Sequence, residues 1–193
     1  MHKNSYIIIY DQFGFFSSSR IWFTFHKFGF DKIKILNGGF NLWKRKKFKI
    51  SKKKELVKYT ATKTKSVTDI VIKKKEIEFF LKKRINNHII IDARPSARFE
   101  GKEPEPRAEL KSGHIPGSTN IPYDSISNKK GEMLDLLNLK KKLNKKINFQ
   151  MDRQIICTCG SGVTACNIYF LLEILGIKNK KLYDGSWAEW GKK

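Results

Sequence analysis

Gln154-Ile-Ile-Cys-Thr-Cys-Gly-Ser-Gly-Val-Thr-Ala-Cys166 runs from an apolar strand through a glycine-rich turn into an apolar helix. The run Gln154–Thr158 reads as a short, fully buried strand of the parallel-sheet kind. From Val163 to Leu175 the chain is apolar nearly all round and stops at Gly176, which predicts a buried helix with a glycine C-cap. Cys159 therefore sits at a strand-to-helix turn, where backbone N–H groups and a helix N-terminus converge. That setting favours thiolate over thiol, and the thiolate is the nucleophile. The competing reading is a small structural core residue. The two glycines and the turn position favour the nucleophile.

Working outward, strands alternate with helices. Val67–Arg84 has Ile70, Ile77, Phe80 and Leu81 at helical spacing, and His88–Asp92 reads as a buried strand ending in a carboxylate. A Pro/Gly-punctuated stretch from Pro95 to Pro122 reads as loops, Leu134–Leu143 as a helix and Lys181–Tyr183 as a strand. This is the pattern of an α/β fold, a parallel sheet flanked by helices. Its reactive crevice opens beyond the carboxyl ends of the strands, where Asp92, Cys159 and Asp184 fall.

The chain also repeats itself. Gly29-Phe-Asp-Lys-Ile-Lys-Ile-Leu-Asn-Gly-Gly-Phe-Asn-Leu-Trp43 matches Gly176-Ile-Lys-Asn-Lys-Lys-Leu-Tyr-Asp-Gly-Ser-Trp-Ala-Glu-Trp190 at a constant offset, 176 − 29 = 147. The strand Tyr6–Tyr10 and a helix from about Ser18 to Phe28 then align with Gln154–Thr158 and the helix that follows it. Cys159 corresponds to Gln12, or to Asp11 or Phe13 if the register slips by one, so the first copy carries no nucleophile. Nothing upstream corresponds to Val67–Lys146. The expected organisation is residues 1–50 as a partial copy of two strands and a helix, 51–66 as a basic linker, and 67–193 as the complete domain. Two strands and one helix bury too little to stand alone, so the partial copy is expected to lean on the second copy, to lean on a separate chain, or to remain poorly ordered.

Lys and Arg exceed Asp and Glu by 40 − 18 = 22. Such a balance suggests nucleic acid, but the lysines are spread along the chain among Ile, Asn and Phe, and the densest run, Lys44–Lys54, reads as solvated linker. No specific nucleic-acid partner is expected, only a general attraction for small anions. The three cysteines, Cys157, Cys159 and Cys166, are too few and too clustered for a disulfide framework and lack paired zinc spacing. They suit a reducing, cytoplasmic setting. The apolar run Tyr6–Ile9 is too short for a signal segment or a membrane span.

Four segments together resemble the rhodanese-type sulfurtransferases, specifically the two-domain 3-mercaptopyruvate sulfurtransferases. They are Asp92-Ala-Arg94 with Arg98–Arg107, Gly113-His-Ile-Pro-Gly-Ser118, Cys159–Cys166, and Tyr183-Asp-Gly-Ser-Trp-Ala-Glu-Trp190. The stretch Tyr10–Trp43 is similar to the end of that family's inactive N-terminal domain, most of which has no counterpart here. The resemblance implies that Cys159 takes the sulfur of 3-mercaptopyruvate as a persulfide, releases pyruvate and passes the sulfur to a thiol, a thioredoxin or cyanide. It implies no metal and no organic cofactor.

The residue chemistry agrees. A six-residue loop can aim several N–H groups, from Gly160, Gly162, Val163 and Thr164 among others, at a persulfide anion. One such donor contributes roughly 2.7–4 kcal/mol in an oxyanion hole. Neutral Gly160 and Ser161 stand where thiosulfate-using relatives carry Arg and Lys, which suits a monocarboxylate donor. Ser161 is placed to hydrogen-bond the substrate or relay a proton, or else simply forms the turn. By resemblance Arg98 and Arg107 bind the carboxylate as guanidinium forks, while Arg94 pairs within the fold. His114, Asp184 and Trp187 are accessory candidates: His114 reads as a loop hydrogen-bonder, Asp184 as an anchor of its turn, and Trp187 as cleft wall or core. Cys157, Cys166 and Trp190 read as core. The family's proposed acid/base histidine and aspartate belong to the part without a counterpart.

Three other readings compete. One is thiosulfate as donor, and a second is a persulfide-binding remnant that no longer turns over. The third, a cysteine phosphatase, needs an arginine closing the loop, where Ala165 and Cys166 stand instead.

Overall fold

The computed structural model describes residues 5–54, 56, 61, 63–148 and 153–193, in two compact units. Part of the expected linker, residues 55, 57–60 and 62, lies outside them. The first unit holds residues up to Thr68 together with Ser127–Met133, and the second holds Asp69–Ile126 and Leu134–Lys193.

The second unit is a five-stranded sheet in the order β3-β7-β6-β4-β5, with every pair parallel. The strands are β3 (Val71–Ile72), β4 (His88–Asp92), β5 (Thr119–Asn120), β6 (Gln154–Thr158) and β7 (Lys180–Tyr183). The periodic stretch Val67–Arg84 is not one helix, as the sequence suggests. Val71–Ile72 pairs with Leu182–Tyr183 as an edge strand, and α3 (Lys74–Lys82) follows it, the Glu76 carboxylate accepting the Lys73 N–H at 2.9 Å. Two β-branched residues with a sheet edge to pair to are better satisfied as strand than as a helix start.

One core cluster gathers Ile77 of α3, Ile72, Ile90, Ile156 and Tyr183 of the sheet, Leu110, Ile115 and Trp187, with Phe80, Leu81 and Trp190 at its margin. The cross-strand row Ile91, Cys157 and Leu182, of opposite parity, is fully buried as well. Both sheet faces are therefore covered, which explains the continuous apolar runs in β4 and β6. The remaining helices are α4 (Ser96–Phe99), α5 (Leu136–Ile147), α6 (Ala165–Ile174) and α7 (Ser186–Trp190). Helix α5 starts at Asp135, whose side chain accepts the Asn138 N–H at 2.9 Å. Helix α6 buries all eight residues from Ala165 to Leu172. It ends in a Schellman turn: Gly176 has φ +75°, and Ile177 N–H reaches Leu172 O at 2.9 Å.

The first unit has two parallel strands, β1 (Ile7–Ile9) and β2 (Ile33–Ile35), and two helices, α1 (Ser18–Lys27) and α2 (Gly39–Arg45). The sequence suggested a single helix here; α2 is the counterpart of α7, and α1, β2 and α2 fall 147 residues before α6, β7 and α7. Register locates the slip in this repeat. Ile7 pairs with Ile33, while Ile155 pairs with Lys180, so β1 stands 148 residues from β6 and β2 stands 147 from β7. The loop of the first unit thus carries one extra residue. Residues 127–133, which interrupt the second unit's sequence, fold with the first unit: Met133 N–H donates to Asn37 Oδ1 at 2.8 Å and Arg45 Nη2 to Lys130 O at 2.8 Å.

Candidate active site

Beyond the end of β6, Cys159 opens the loop into α6 and is buried, 1% exposed. Helix α7 braces it. The Cys159 N–H donates to Ser186 Oγ at 3.1 Å, and Ser186 Oγ–H donates to Tyr183 O at 2.9 Å. Trp187 N–H reaches Cys159 O at 2.9 Å, and Ala188 N–H reaches Gly160 O at 2.8 Å. Ser186, fully buried, holds φ at +51° to make this brace. Sequence reading passed over Ser186. Its signal was the repeat itself, since Gly39, 147 residues earlier, has φ +56° at the same turn.

The rest of the loop is small and turned inward. Gly160, Val163 and Thr164 are half-buried, Gly162 is buried with φ +76°, and Ser161 is exposed at the tip. Cys166 is core, its thiol directed at Gly162 O at 3.2 Å. Cys157 lies inside the sheet, where burial, with Cys166 beside it, pushes its thiol well above the ordinary range. All three cysteines are free.

The arginines divide in two ways. Arg94 is 1% exposed and locked: it pairs with Asp92 at 2.7 Å and Glu105 at 2.8 Å, donates to Gly113 O at 2.8 Å, and stacks its guanidinium 4.4 Å from the Trp187 ring centre. Arg98 reaches the cysteine loop, for a Cβ added to Gly160 would lie 3.1 Å from Arg98 Nη2. Arg107 is exposed, and no side-chain partner is found for it among the described residues. His114 is exposed, its Nδ1 2.8 Å from Phe99 O and its ring stacked on Phe99 at 4.0 Å, so it ties its loop to α4. Asp184 is half-buried at the turn before α7. Trp187 is core, with its Nε1–H on Lys111 O at 2.8 Å.

The first unit supplies an internal comparison. Phe40 N–H reaches Asp11 O at 2.8 Å and Asn41 N–H reaches Gln12 O at 3.2 Å, the same two bonds that α7 makes to Cys159 and Gly160. With the strand register, this puts Asp11, not Gln12, in the place of Cys159. The Asp11 carboxylate turns into its own loop. Oδ1 accepts N–H bonds from Phe13 (2.8 Å) and Gly14 (2.5 Å), and Oδ2 accepts from Ser17 (2.9 Å) and Ser18 (3.0 Å). Burial alone would push the carboxyl up, but the four N–H bonds outweigh that and hold it below its ordinary value.

A model of the rhodanese-like domain matches residues 1–46 and 80–193. The chain is 34% identical over 203 residues to a 3-mercaptopyruvate sulfurtransferase of Escherichia coli, covering 99% of this chain and 66% of that protein. It covers 53% of a mitochondrial thiosulfate/3-mercaptopyruvate sulfurtransferase of Arabidopsis thaliana at 30% identity, so it spans about half to two thirds of these relatives. Among solved structures, Tum1 of Saccharomyces cerevisiae superposes with a TM-score of 0.84 at 31% identity over 98% of this chain and 67% of that one. The sulfur transferase subunit of yeast mitochondrial complex I superposes with a TM-score of 0.85 at 34% identity, covering 99% and 70%.

Proposed function

Because the chain belongs to the rhodanese-like domain family, we propose that it is a sulfurtransferase that takes sulfur from 3-mercaptopyruvate on Cys159. The Cys159 thiolate attacks the donor sulfur and an S–S bond forms. The C–S bond breaks with its electron pair going to the three-carbon fragment, which takes up the donor's thiol proton and leaves as pyruvate. What remains is a persulfide anion on Cys159, which a thiol, a reduced thioredoxin or cyanide then relieves of its outer sulfur.

The observation that carries this reading is the Asp11 loop. An anion occupies the corresponding turn of the first unit and draws four N–H groups. Carried across the repeat, those groups belong to Ser161, Gly162, Thr164 and Ala165, and Gly14 and Gly162 share the left-handed backbone such a turn needs. A persulfide anion on Cys159 has the charge to fill that cradle. Arg98, with the exposed Arg107 as a second guanidinium, would hold the donor carboxylate, and Ser161 at the loop's tip would hydrogen-bond it.

The alternative donor is thiosulfate, after which some of the relatives are named. Uncharged Gly160 and Ser161 favour the monocarboxylate. A reducing, cytoplasmic compartment fits three free cysteines. The partner reading rests on the first unit: a cavity of about 470 Å³ is lined by Ile8, Tyr10, Phe40 and Trp43 among others. By register, Ile8, Phe40 and Trp43 are counterparts of Ile156, Trp187 and Trp190, which in the second unit pack with Ile77 and Ile90. A separate chain carrying an equivalent apolar strand and helix would fill it.

Pyruvate release tests the function. The protein incubated with 3-mercaptopyruvate and cyanide should give pyruvate and thiocyanate in equal amounts, and Cys159→Ser should give neither. A wild-type protein that produces no pyruvate refutes the reading.

A further inference from the structure

Arg98 is not a free guanidinium. Glu105 spans it with both carboxylate oxygens, Nε to Oε1 at 3.2 Å and Nη2 to Oε2 at 2.5 Å. Glu105 is in turn fixed by Arg94 Nη1 at 2.8 Å, and Arg94 by Asp92, all with side chains 1% exposed, whereas the Arg98 side chain is 23% exposed. The buried chain Asp92–Arg94–Glu105–Arg98 thus ends at a guanidinium beside Gly160.

We propose that Glu105 is the positioning residue that presents Arg98 to the sulfur donor and sets which donor charge the site accepts. The proposal rests on the reading that Cys159 is loaded from 3-mercaptopyruvate. A guanidinium offers two edges on which it can form paired hydrogen bonds. Glu105 takes the Nε–Nη2 edge, so only the Nη1–Nη2 end is left for a ligand. The group is also balanced: two guanidiniums against two carboxylates contribute no net charge. A donor carboxylate would therefore be held by directed hydrogen bonds more than by charge. A monoanion matches that neutral chain together with the single charge of Arg107, and a dianion finds no further positive charge in this cluster to answer it. The general excess of lysine draws all anions alike, so donor preference must come from local groups such as these.

Glu105→Gln keeps the shape and one acceptor while leaving Arg98 unneutralised. The test measures kcat and KM of the full chain for 3-mercaptopyruvate and for thiosulfate, with cyanide as acceptor, alongside thermal melting. In Glu105→Gln the ratio of kcat/KM for thiosulfate to that for 3-mercaptopyruvate should rise by about tenfold, carried by KM, the weight of one extra unit charge a few ångströms away. Glu105→Asp, which keeps the charge but shortens the reach, should raise KM for both donors and leave the ratio near wild type. A merely structural role would lower the active fraction for both donors equally and leave KM untouched. A ratio in Glu105→Gln within about twofold of wild type overturns the proposal. If Glu105→Gln fails to fold, Arg98→Lys decides: a lysine held by Glu105 has no second edge, so KM for 3-mercaptopyruvate should rise by at least about tenfold, and an unchanged KM overturns the proposal. Wild-type protein active on 3-mercaptopyruvate with an unmoved ratio sinks only the Glu105 proposal; wild-type protein that never loads sulfur sinks the donor reading and the proposal together.

Discussion

Replacing Asp11 with Asn is the sharpest probe of the loop that stands in for the active one. The amide keeps one oxygen for the N–H groups of Phe13 and Gly14, but its NH2 then faces the N–H groups of Ser17 and Ser18. Two charge-assisted bonds are lost, each contributing roughly 1.5–3 kcal/mol when well buried. Asp11 is only part-buried, so about half of that sum is expected, about 1.5–3 kcal/mol. With a urea slope of about 1–2 kcal/mol/M, the midpoint read by tryptophan fluorescence near pH 7 should fall by about 1–3 M. The pH dependence fixes the cause. The folded carboxyl ionises below its ordinary value of 3.8, so its contribution is complete above that value and is lost as pH falls through the lower, folded value. The gap between wild type and Asp11→Asn should therefore close in acid. Equal midpoints near neutrality, or a gap that persists unchanged in acid, would refute the anion-cradle argument.

Gly160→Ala should melt as wild type does, since Gly160 lies outside the left-handed region, yet its new Cβ would sit 3.1 Å from Arg98 Nη2 and push a guanidinium already held by Glu105. KM for the donor should rise about three- to tenfold, the scale of a displaced positioning group; an unmoved KM would separate Arg98 from the donor. Cys157 should carry no sulfur anywhere between about pH 6 and 9, because burial keeps its thiol protonated throughout. Mass mapping of Cys157→Ala should still find the sulfur on Cys159, and loss of loading in that variant would contradict this.

The parts legible in the sequence were those set by local chemistry. The apolar strand Gln154–Thr158, the small-residue turn and the glycine stop at Gly176 lie together in the chain, and the structure keeps them together. His88–Asp92 was equally plain, because a strand buried on both faces has no reason to interrupt its apolar run. What escaped depends on partners far away in sequence. Val71–Ile72 is a strand only because Leu182 and Tyr183 lie alongside. Glu105 acquires meaning from Arg94 and Arg98, and Ser186 from the peptide of Cys159. Asp11 could be assigned only from strand register, since a one-residue insertion in the loop breaks the constant offset at the position that matters. Residues 127–133 gave no local sign that they fold with the first unit.

The central claim is that the turn after β6 stabilises a second sulfur on Cys159, and the intact mass after brief exposure to 3-mercaptopyruvate without acceptor tests it most directly. The expected result is a gain of one sulfur atom per chain, mapped to the Cys159 peptide, removed by reduced thioredoxin or cyanide and absent from Cys159→Ser. An unchanged mass beside a folded protein, or sulfur found on Cys157 or Cys166 instead, would contradict the account.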